Sequence, residues 1–288
     1  MVQIKQLPKI SIIVATRNRL VHLRRMIDSV LRSDYSNFEI VVVDGASTDG
    51  TTKLLESYGD RIAQWISEPD GGEYFALNKA IHLATGEIIK PMPDDDTIRP
   101  DALSLAAARF MEKPAIDVLF GPAVLWQEGQ RDSICIGESK PVDIGNLTVK
   151  KMLRGKARFH SPACFIRRRV FERIGDYATE YSCGDSEFWL RAIKSNIVFD
   201  ALPDVIYDSY RHKGGGMETK MWRLRNDHMK LCSQYGGQSD RLYLLYFLFC
   251  RPILYDVCKG LGIVSAVKQV RGLAATQRPS KPASGRRQ

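Results

Sequence analysis

The sequence of 288 residues lacks several patterns that define common protein classes. It contains no G-x-G-x-x-G and no G-x-x-x-x-G-K-[ST], so the usual glycine-rich dinucleotide and phosphate loops are absent. Its six cysteines include no C-x-x-C pair, which argues against a zinc site and favours reduced thiols in the cytoplasm. Residues 1–9 contain no apolar signal segment, so we expect no export. The longest apolar run, 242–250, has nine residues, whereas a bilayer-spanning helix needs about 20.

Charge is distributed unevenly along the chain. Residues 1–210 contain 27 Lys and Arg against 29 Asp and Glu, whereas residues 211–288 contain 15 against 4 and carry a net charge of +11. We therefore predict a globular domain over 1–215, a helical basic extension over 216–277 and a disordered basic tail over 278–288. The basic extension suits an anionic membrane surface. No recognisable reading motif accompanies it, so we expect no nucleic-acid partner.

The apolar segment at 242–250 has two interpretations, because its side chains would be apolar all round a helix. Either the helix is buried against the globular domain, or it lies in the membrane interface with its tyrosines as anchors. We favour the second interpretation, which predicts a peripheral protein on the cytoplasmic face of the inner membrane.

The first third of the chain alternates between apolar, β-branched runs and segments with helical periodicity. The predicted strands are 10–15, 39–44, 63–67 and 87–90, and the predicted helices are 20–31, 51–58 and 74–84. This order predicts an α/β fold in which helices cover both faces of a mostly parallel sheet. Farther along, we predict strands at 118–121 and 205–207 and a helix at 186–194.

Polar side chains follow three of these strands at the point where each ends. The carboxyl ends of parallel strands share a crevice where ligands bind. Hydroxyl and guanidinium donors, an acidic acceptor and three adjacent carboxylates there suit a nucleoside diphosphate with a divalent cation, Mn²⁺ or Mg²⁺. A solvated acidic turn is the alternative explanation for the carboxylates alone. The side chains concerned are Thr16, Arg17, Arg19, Asp44, Ser47, Asp94, Asp95 and Asp96.

Five sequence blocks carry a specific resemblance over residues 9–215. They are SIIVATRNR, VVVDGASTDGT, SEPDGGEYFALNKAIHLATGE, DDDTIRPDAL and CGDSEFWLRA. In this order they resemble family 2 glycosyltransferases with the GT-A fold, most of all the branch that builds bacterial O-antigen and exopolysaccharide units. The resemblance implies a mostly parallel nucleotide-binding sheet, a nucleotide-sugar donor, with a UDP-sugar favoured, and a glycan or lipid-linked acceptor.

The resemblance also implies roles for the residues at the donor side. Asp44 would contact the nucleotide base, and Asp95 would face the ribose or the sugar. Asp96 would coordinate the metal, with Asp94 completing a D-x-D pattern. His212 is a further candidate ligand because it precedes the glycine run at 214–216, which either closes over the donor or is a plain linker. The other candidates for donor binding are Thr16, Arg17, Arg19, Ser47, Asp70 and Asn78, and a turn alone also explains Asp70.

Asp185 falls where such enzymes place the general base. It would take the proton from an acceptor hydroxyl as that oxygen attacks the sugar's anomeric carbon, which implies inversion. A metal ion would stabilise the departing nucleoside diphosphate. His160 and Trp189 are candidates for contacts with the acceptor. The alternative for His160 is a structural hydrogen bond, and the alternative for Trp189 is a position in the core. Glu187 is interpreted as structural, with a second acid as the alternative.

Two departures from the family pattern affect the donor sugar. Phe75 stands where related sequences have an aspartate, and Pro93 replaces a polar residue before the acidic cluster.

Two other functions remain open from the residues: a nucleotidyltransferase that makes nucleotide sugars, and a non-catalytic scaffold that binds them. The run 167–169 of three arginines is interpreted as a solvated face, with a phosphate on a lipid-linked acceptor as the alternative.

Overall fold

The computed structural model describes residues 7–129, 133–157, 161–212 and 221–245. Its strands are β1 Ile10–Thr16, β2 Phe38–Asp44, β3 Gln64–Ser67, β4 Ile88–Pro91, β5 Thr97–Ile98, β6 Val118–Phe120, β7 Ala123–Glu128, β8 Ser133–Glu138, β9 Cys164–Arg167, β10 Phe199–Ala201 and β11 Tyr207–Arg211. Its α-helices are α1 Leu20–Val30, α2 Thr51–Tyr58, α3 Glu73–Leu83, α4 Ala102–Glu112, α5 Val149–Leu153, α6 Arg168–Ile174, α7 Gly184–Lys194, α8 Met221–Tyr235 and α9 Gln238–Leu245.

The strands form two sheets. The larger has seven strands in the order β10-β6-β9-β4-β1-β2-β3, and only β9 runs antiparallel to its neighbours. The smaller has the order β5-β11-β7-β8, in which β11 and β7 are parallel and the other pairs antiparallel. The predicted α/β fold with a mostly parallel sheet is confirmed.

The central strand β1 shows why helices cover both faces of the larger sheet. Ile10, Ile12 and Val14 belong to one hydrophobic cluster and Ile13 to the other, because successive side chains of a strand point to opposite faces. Helices α1, α2 and α4 contribute to the first cluster, and α3, α6 and α7 to the second. A parallel strand buried on both faces reads as a continuous apolar run, as β1 does.

Most of the predicted elements occur, with shifts at their ends. The helix predicted at 51–58 matches α2, and the helix predicted from 186 begins two residues earlier. The strand predicted at 205–207 was misplaced, since β11 begins at Tyr207 and continues to Arg211. The N–H of Ile206 instead bonds the carbonyl of Pro122, in the connection before the strand.

The chain divides into two compact units, 1–236 and 237–288. Helix α8, predicted as part of the basic extension, belongs to the first unit, and α9 is the described part of the second. The predicted boundaries at 215 and 277 stay predictions. The glycine run at 214–216, the end of the apolar segment at 246–250 and the tail all lie outside the described residues. Within the described residues, no helix combines the length and apolar character needed to cross a bilayer.

Candidate active site

Three strands of the larger sheet end side by side. Thr16 pairs in register with Asp44, and Asp44 pairs with Ser67 on the next strand. Strand β4, on the other side of β1, ends at Pro91, and the acidic residues follow it. The three strand ends singled out in the sequence therefore meet at one edge of the sheet, where ligands bind in such folds.

Asp44 is fully buried at this edge and is held by serines. Its Oδ2 accepts hydrogen bonds from the N–H of Ser47 (2.9 Å) and the hydroxyl of Ser67 (2.6 Å), and its Oδ1 accepts one from the Ser47 hydroxyl. The carboxylate therefore fixes the loop after β2. In this conformation it has no accessible surface to offer a nucleotide base, so the predicted base contact requires the serine hydroxyls to turn away.

The loops after β1 and β2 are bonded to each other. Asn18 has a φ of 52°, a left-handed conformation that asparagine tolerates better than most residues. Its side chain accepts a hydrogen bond from the N–H of Thr48 (2.8 Å), and its own N–H donates to the Ser47 hydroxyl (2.7 Å). The two loops therefore hold the Ser47 segment from both sides.

Arg17 and Asp70 approach the backbone of Gly45 from two directions. A Cβ at Gly45 would lie 3.3 Å from Cδ of Arg17 and 3.0 Å from Oδ2 of Asp70, so only glycine leaves both side chains their room. Asp70 also accepts a hydrogen bond from the N–H of Gly72 (2.9 Å), which is the turn expected from its sequence context. Arg17 itself is exposed at the crevice.

The three carboxylates of the acidic cluster point in different directions. Asp94 accepts a hydrogen bond from the Thr16 hydroxyl (2.7 Å). Asp95 faces His212, with 2.7 Å between its Oδ2 and the ring Nε2. Asp96 is turned inward, where Tyr207 donates its hydroxyl to Oδ2 and Tyr210 its N–H to Oδ1 (2.7 Å). Their divergence explains how three adjacent anions share one turn.

Burial raises the pKa of two of these carboxyl groups. The pKa of Asp96, which is 4% exposed, rises to about 7, and that of Asp94 rises to about 6. Loss of water is the main cause in both cases, and the negative charge of Asp95 adds to it. Because protein donors occupy both oxygens of Asp96, its predicted role as a metal ligand is not favoured by this geometry and stays a prediction.

Asp95, His212 and Arg19 form a polar group at the mouth of the crevice. Nη1 of Arg19 lies 3.2 Å from the His212 ring, and Nη2 lies 3.5 Å from Asp95. Arg25 supports the group by donating to the Asp95 carbonyl (2.5 Å), with its guanidinium 4.0 Å above the ring of Tyr210. Sequence reasoning missed Arg25, because its position on α1 gives no sign that it reaches the acidic turn.

A carboxylate and an imidazole that face each other can contribute ligands to an open site for a divalent ion. Across the residues that the structure describes, no three His, Cys, Asp or Glu side chains converge into a complete metal cage. Mg²⁺ and related ions, however, commonly take one or two protein carboxylates and complete their shell with water and phosphate oxygens. Asp95 and His212 fit that type of site by the chemistry of their donor atoms.

Asp185 lies on the first turn of α7 and faces α3. Its Oδ1 accepts hydrogen bonds from the Tyr74 hydroxyl (3.1 Å) and the N–H of Ser186 (2.7 Å). The preceding Gly184 makes this approach possible, since a Cβ there would lie 2.5 Å from the carbonyl oxygen of Ala178 and 3.0 Å from the Tyr74 ring. Burial and the charge of Asp185 raise the pKa of Tyr74, so its hydroxyl keeps its proton and donates.

A cavity of about 80 Å³ connects Asp185 to the ends of β1 and β4. Ala15 of β1 lines the cavity, as do Pro91 at the end of β4 and Pro93 after it. Tyr74 of α3 lines it as well. Its full lining is Ala15, Glu73, Tyr74, Leu77, Pro91, Met92, Pro93, Ser161, Pro162, Tyr177 and Asp185. Tyr74 was not assigned a role from the sequence, although it lies two residues after the glycine pair at 71–72.

Helix α8 is hydrogen-bonded to the segment that precedes Asp185. Asp227 accepts hydrogen bonds from the N–H (2.8 Å) and the hydroxyl (2.6 Å) of Ser182. Tyr235 donates its hydroxyl to Glu187, which also pairs with Arg191 at 2.9 Å. The structural interpretation of Glu187 agrees with these contacts, which leave Asp185 as the carboxylate of α7 that lines the cavity.

Two other candidates serve as supports of the crevice. Asn78 exchanges two hydrogen bonds with the backbone of Tyr177, at 2.8 and 3.0 Å, so its amide is engaged on both sides. Trp189 is 2% exposed, packs in the second hydrophobic cluster and donates its ring N–H to the Ser161 hydroxyl at the cavity wall (2.7 Å). Their predicted contacts with donor and acceptor stay predictions, and His160 lies outside the described residues.

Of the three arginines at 167–169, only Arg169 is exposed, so the run is not a solvated face as a whole. Arg167 is buried and bonds the carbonyls of Ile116 (2.8 Å) and Phe110 (3.1 Å). Arg168 bonds the carbonyls of 81, 84 and 86 at the end of α3, and Arg169 pairs with Asp117 at 2.7 Å. The expectation failed for Arg167 and Arg168 because carbonyl oxygens from distant segments accept hydrogen bonds from their guanidinium groups.

Fold and crevice together define a glycosyltransferase of the GT-A type. The model of the family described as "Glycosyl transferase family 2" matches residues 11–175, and the chain belongs to that family. The "PGL/p-HBAD biosynthesis glycosyltransferase" of Mycobacterium bovis (strain BCG / Pasteur 1173P2) is 28% identical over 213 residues, covering 72% of this chain and 78% of that protein. An uncharacterized glycosyltransferase of Mycobacterium tuberculosis (strain CDC 1551 / Oshkosh) is 29% identical over 64% of this chain and 69% of its own.

Solved structures support the fold. TarS 1-349 of S. aureus in complex with UDP-GlcNAc superposes with a TM-score of 0.64 at 21% identity, covering 83% of this chain and 73% of that one. The mannosyltransferase PcManGT of Pyrobaculum calidifontis, in complex with GDP-Man and Mn²⁺, gives 0.63 at 22% identity, covering 94% and 80%. Membership of the glycosyl transferase family 2 makes the chain a transferase, and neither the nucleotidyltransferase nor the scaffold alternative gains support.

Proposed function

We propose that this chain transfers a sugar from a nucleotide sugar, a UDP-sugar in the first place, to a hydroxyl of a glycan or lipid-linked acceptor, with inversion at the anomeric carbon. The observation that carries the proposal is the place of Asp185 on a cavity that also meets the ends of β1 and β4. A single carboxylate acting as base is sufficient for one direct displacement. No covalent intermediate is required.

Asp185 is oriented for this proton transfer. Within the described part of the chain its hydrogen bonds from Tyr74 and Ser186 fall on Oδ1, which leaves Oδ2 to receive a proton. As the acceptor oxygen attacks the anomeric carbon, its proton passes to Asp185. The bond from that carbon to the diphosphate oxygen breaks, and the leaving group takes the electron pair.

The donor's diphosphate would meet the cationic side of the crevice. Arg17 is exposed beside Gly45, and Arg19 lies beside Asp95, so both guanidinium groups are placed for charge-assisted bonds to phosphate oxygens. Thr16 takes part indirectly, because its hydroxyl orients Asp94.

Asp95 and His212 are the residues that would hold Mn²⁺ or Mg²⁺, with Asp94 as the neighbouring carboxylate. When bound, the ion stabilises the departing diphosphate as a Lewis acid. In this assignment Asp96 would not contact the ion and would instead anchor the acidic turn through its hydrogen bonds with Tyr207 and Tyr210.

Release of nucleoside diphosphate from a panel of nucleotide sugars tests the proposal. UDP-, GDP- and dTDP-sugars are incubated with the protein and Mn²⁺ or Mg²⁺, with water as the acceptor. We expect release from one donor class, loss of release with EDTA, recovery on adding Mn²⁺ and an inverted anomer in early NMR spectra. A protein that releases nothing from the whole panel contradicts the proposal, and a retained anomer contradicts the single displacement.

A peripheral membrane location is proposed on the charge distribution. Residues 211–288 carry a net charge of +11, which favours an anionic lipid surface. The full chain should sediment with vesicles containing phosphatidylglycerol and not with pure phosphatidylcholine, and 0.5 M salt should release it. Equal behaviour with both vesicles would reject the location.

A further inference from the structure

Lys90 is a lysine with no exposed surface, near the end of β4. Lysine is almost never fully buried, since its ammonium group gives up strong hydration. The two preceding residues, Ile88 and Ile89, are apolar and buried, as expected of this strand. A charge placed one residue further on, beneath the acidic turn, therefore needs an explanation.

Backbone carbonyls and aromatic faces hold the ammonium group. Nζ donates to the carbonyl oxygens of Pro91 (3.0 Å) and Pro162 (2.5 Å). It also lies 4.9 Å from the ring centre of Tyr207 and 5.5 Å from that of Phe165, distances at which cation–π attraction operates. Burial lowers the pKa of Lys90 to about 8, and the negative charge of Asp96 acts against this from farther away.

The partners of Lys90 belong to separate walls of the crevice. Pro91 ends β4 on the donor side, whereas Pro162 lies beside Ser161 in the segment before β9, and both prolines line the cavity that contains Asp185. Tyr207, whose ring faces the ammonium, donates its hydroxyl to Asp96. A single side chain therefore contacts the end of β4, the segment before the neighbouring strand β9 and the anchor of the acidic turn.

We propose that Lys90 is a positioning residue that sets the spacing between the acidic turn and the 161–162 wall, and thereby the place of the acceptor relative to Asp185. The inference rests on the proposed function and adds a residue to it. Proline has no N–H, so neither Pro91 nor Pro162 can close the gap by bonding the other directly. A long cationic donor between two carbonyls supplies the missing link.

Lys90→Met tests the role, because methionine keeps most of the length of the side chain and removes the ammonium group with both hydrogen bonds. We expect a kcat at least about tenfold lower, since small misplacements of reacting groups cost up to about 100-fold in rate. The affinity for UDP with Mn²⁺, or for whichever diphosphate the panel selects, should change less than twofold by calorimetry. An unchanged kcat would overturn the proposal, and so would a loss confined to nucleotide affinity.

Arg167→Met is the matched control. Arg167 is another buried cation that bonds two carbonyls, but these lie at 110 and 116, away from the cavity, and it also pairs with Glu87. Its loss should lower the melting temperature and leave kcat of the folded fraction unchanged. Equal kcat losses in both variants would show that Lys90 contributes only general stability, against the proposal.

Hydrogen exchange supplies a readout that needs no activity. Lys90→Met should speed amide exchange at 161 and 163–164 and Arg167→Met should not, whereas unchanged exchange there would refute the bridge. If the methionine variant does not fold, Lys90→Gln, whose neutral amide is less costly to bury, is measured in the same way. An unmodified protein that releases no nucleoside diphosphate would defeat the proposed function, and the exchange comparison would still decide whether Lys90 joins the two walls.

Discussion

The larger sheet treats buried carboxyl groups in opposite ways at the two ends of its parallel strands. At the amino end of β2, Glu39 is 7% exposed and meets the ammonium of Lys9 at 2.7 Å, the hydroxyl of Ser11 at 2.5 Å and the N–H of Thr85 at 2.6 Å. Burial alone would raise the pKa of Glu39, but these donors lower it to about 2.

At the carboxyl edge of the same sheet the balance is reversed. Asp94 and Asp96 have hydrogen bonds from neutral donors and take part in no ion pair within the described residues, and burial raises the pKa of each. The amino edge therefore pairs its buried carboxylate with a cation, whereas the carboxyl edge holds two buried carboxyl groups without an ion-pair partner among the described residues. An edge of that kind is suited to receive a cation with its ligand, which is why we place the chemistry there.

Of the substitutions that distinguish the two edges, we expect the largest loss of turnover at Asp185. Asp185→Asn keeps the size and the bonds from Tyr74 and Ser186 but removes the basicity, so turnover should fall by about 10²–10⁴-fold. Donor affinity should barely change, because the residue faces the acceptor. Turnover and nucleotide-sugar affinity are measured on the same preparation.

Glu187→Gln is the control for Asp185→Asn. Glu187 lies two residues along α7 but bonds Arg191 and Tyr235, so its variant should lose stability and keep its rate. Near-normal turnover in Asp185→Asn would refute the base role. In that case a rate loss in Glu187→Gln would move the base to Glu187.

The second effect compares neighbours in the acidic turn. Asp95→Asn should reduce Mn²⁺-dependent nucleotide affinity by about 100-fold, as expected for a lost charged contact of up to about 3 kcal/mol. Asp96→Asn should change this affinity less than about threefold, since its oxygens bond Tyr207 and Tyr210. Calorimetry with UDP, in Mn²⁺ and in EDTA, distinguishes the two variants. A greater loss in Asp96→Asn would restore the assignment made from the sequence.

The third effect concerns Asp44, the carboxyl end of the strand that begins near Glu39. Asp44→Ala leaves the N–H of Ser47 and the hydroxyl of Ser67 without their acceptor, so the loop after β2 should loosen. Nucleoside diphosphate binding should weaken by about 1.5 kcal/mol, roughly tenfold. Ser67→Ala removes one of these bonds and should cost less. Unchanged affinity in Asp44→Ala would exclude both direct and indirect roles.

The strand ends could be predicted from the sequence because they depend on local patterns. β-branched runs mark β1 and β2, and a polar residue directly after such a run has to lie at the edge of the sheet. The start of α7 is equally local, since Gly184 and Asp185 precede a segment of helical periodicity. Thr16, Asp44 and Asp185 were placed correctly for this reason.

The directions of the side chains could not be predicted, because distant residues determine them. Tyr207 lies 111 positions from Asp96 and turns it inward, and Tyr177 lies 99 positions from Asn78 and engages its amide. Lys90 has the charge of a surface residue, and the carbonyl that buries it lies 72 positions away. Strand β9 was missed because its partners β4 and β6 flank it only in the folded sheet.

The smallest effect on activity is expected at the amino edge, with Glu39→Gln. This variant should keep the wild-type turnover, because Glu39 lies at the edge of the sheet opposite to the crevice. It should lose stability at pH 7, since an ionised Glu39 with a pKa of about 2 stabilises the folded state by on the order of 2–3 kcal/mol. Chemical unfolding at several pH values measures this difference.

The stability difference between wild type and Glu39→Gln should depend on pH in a defined direction. A carboxyl group whose pKa is lower in the folded protein contributes fully above the pKa of the unfolded chain, near 4.5 for glutamate, and loses its contribution as the pH falls towards about 2. The stability gap between wild type and Glu39→Gln should therefore be constant near neutrality and close between about pH 4.5 and pH 2. Lys9→Met removes one donor to Glu39 and should narrow the gap at pH 7. A gap that does not change with pH would show that Glu39 acts through packing alone, and a loss of turnover in Glu39→Gln would contradict the division of labour between the two edges.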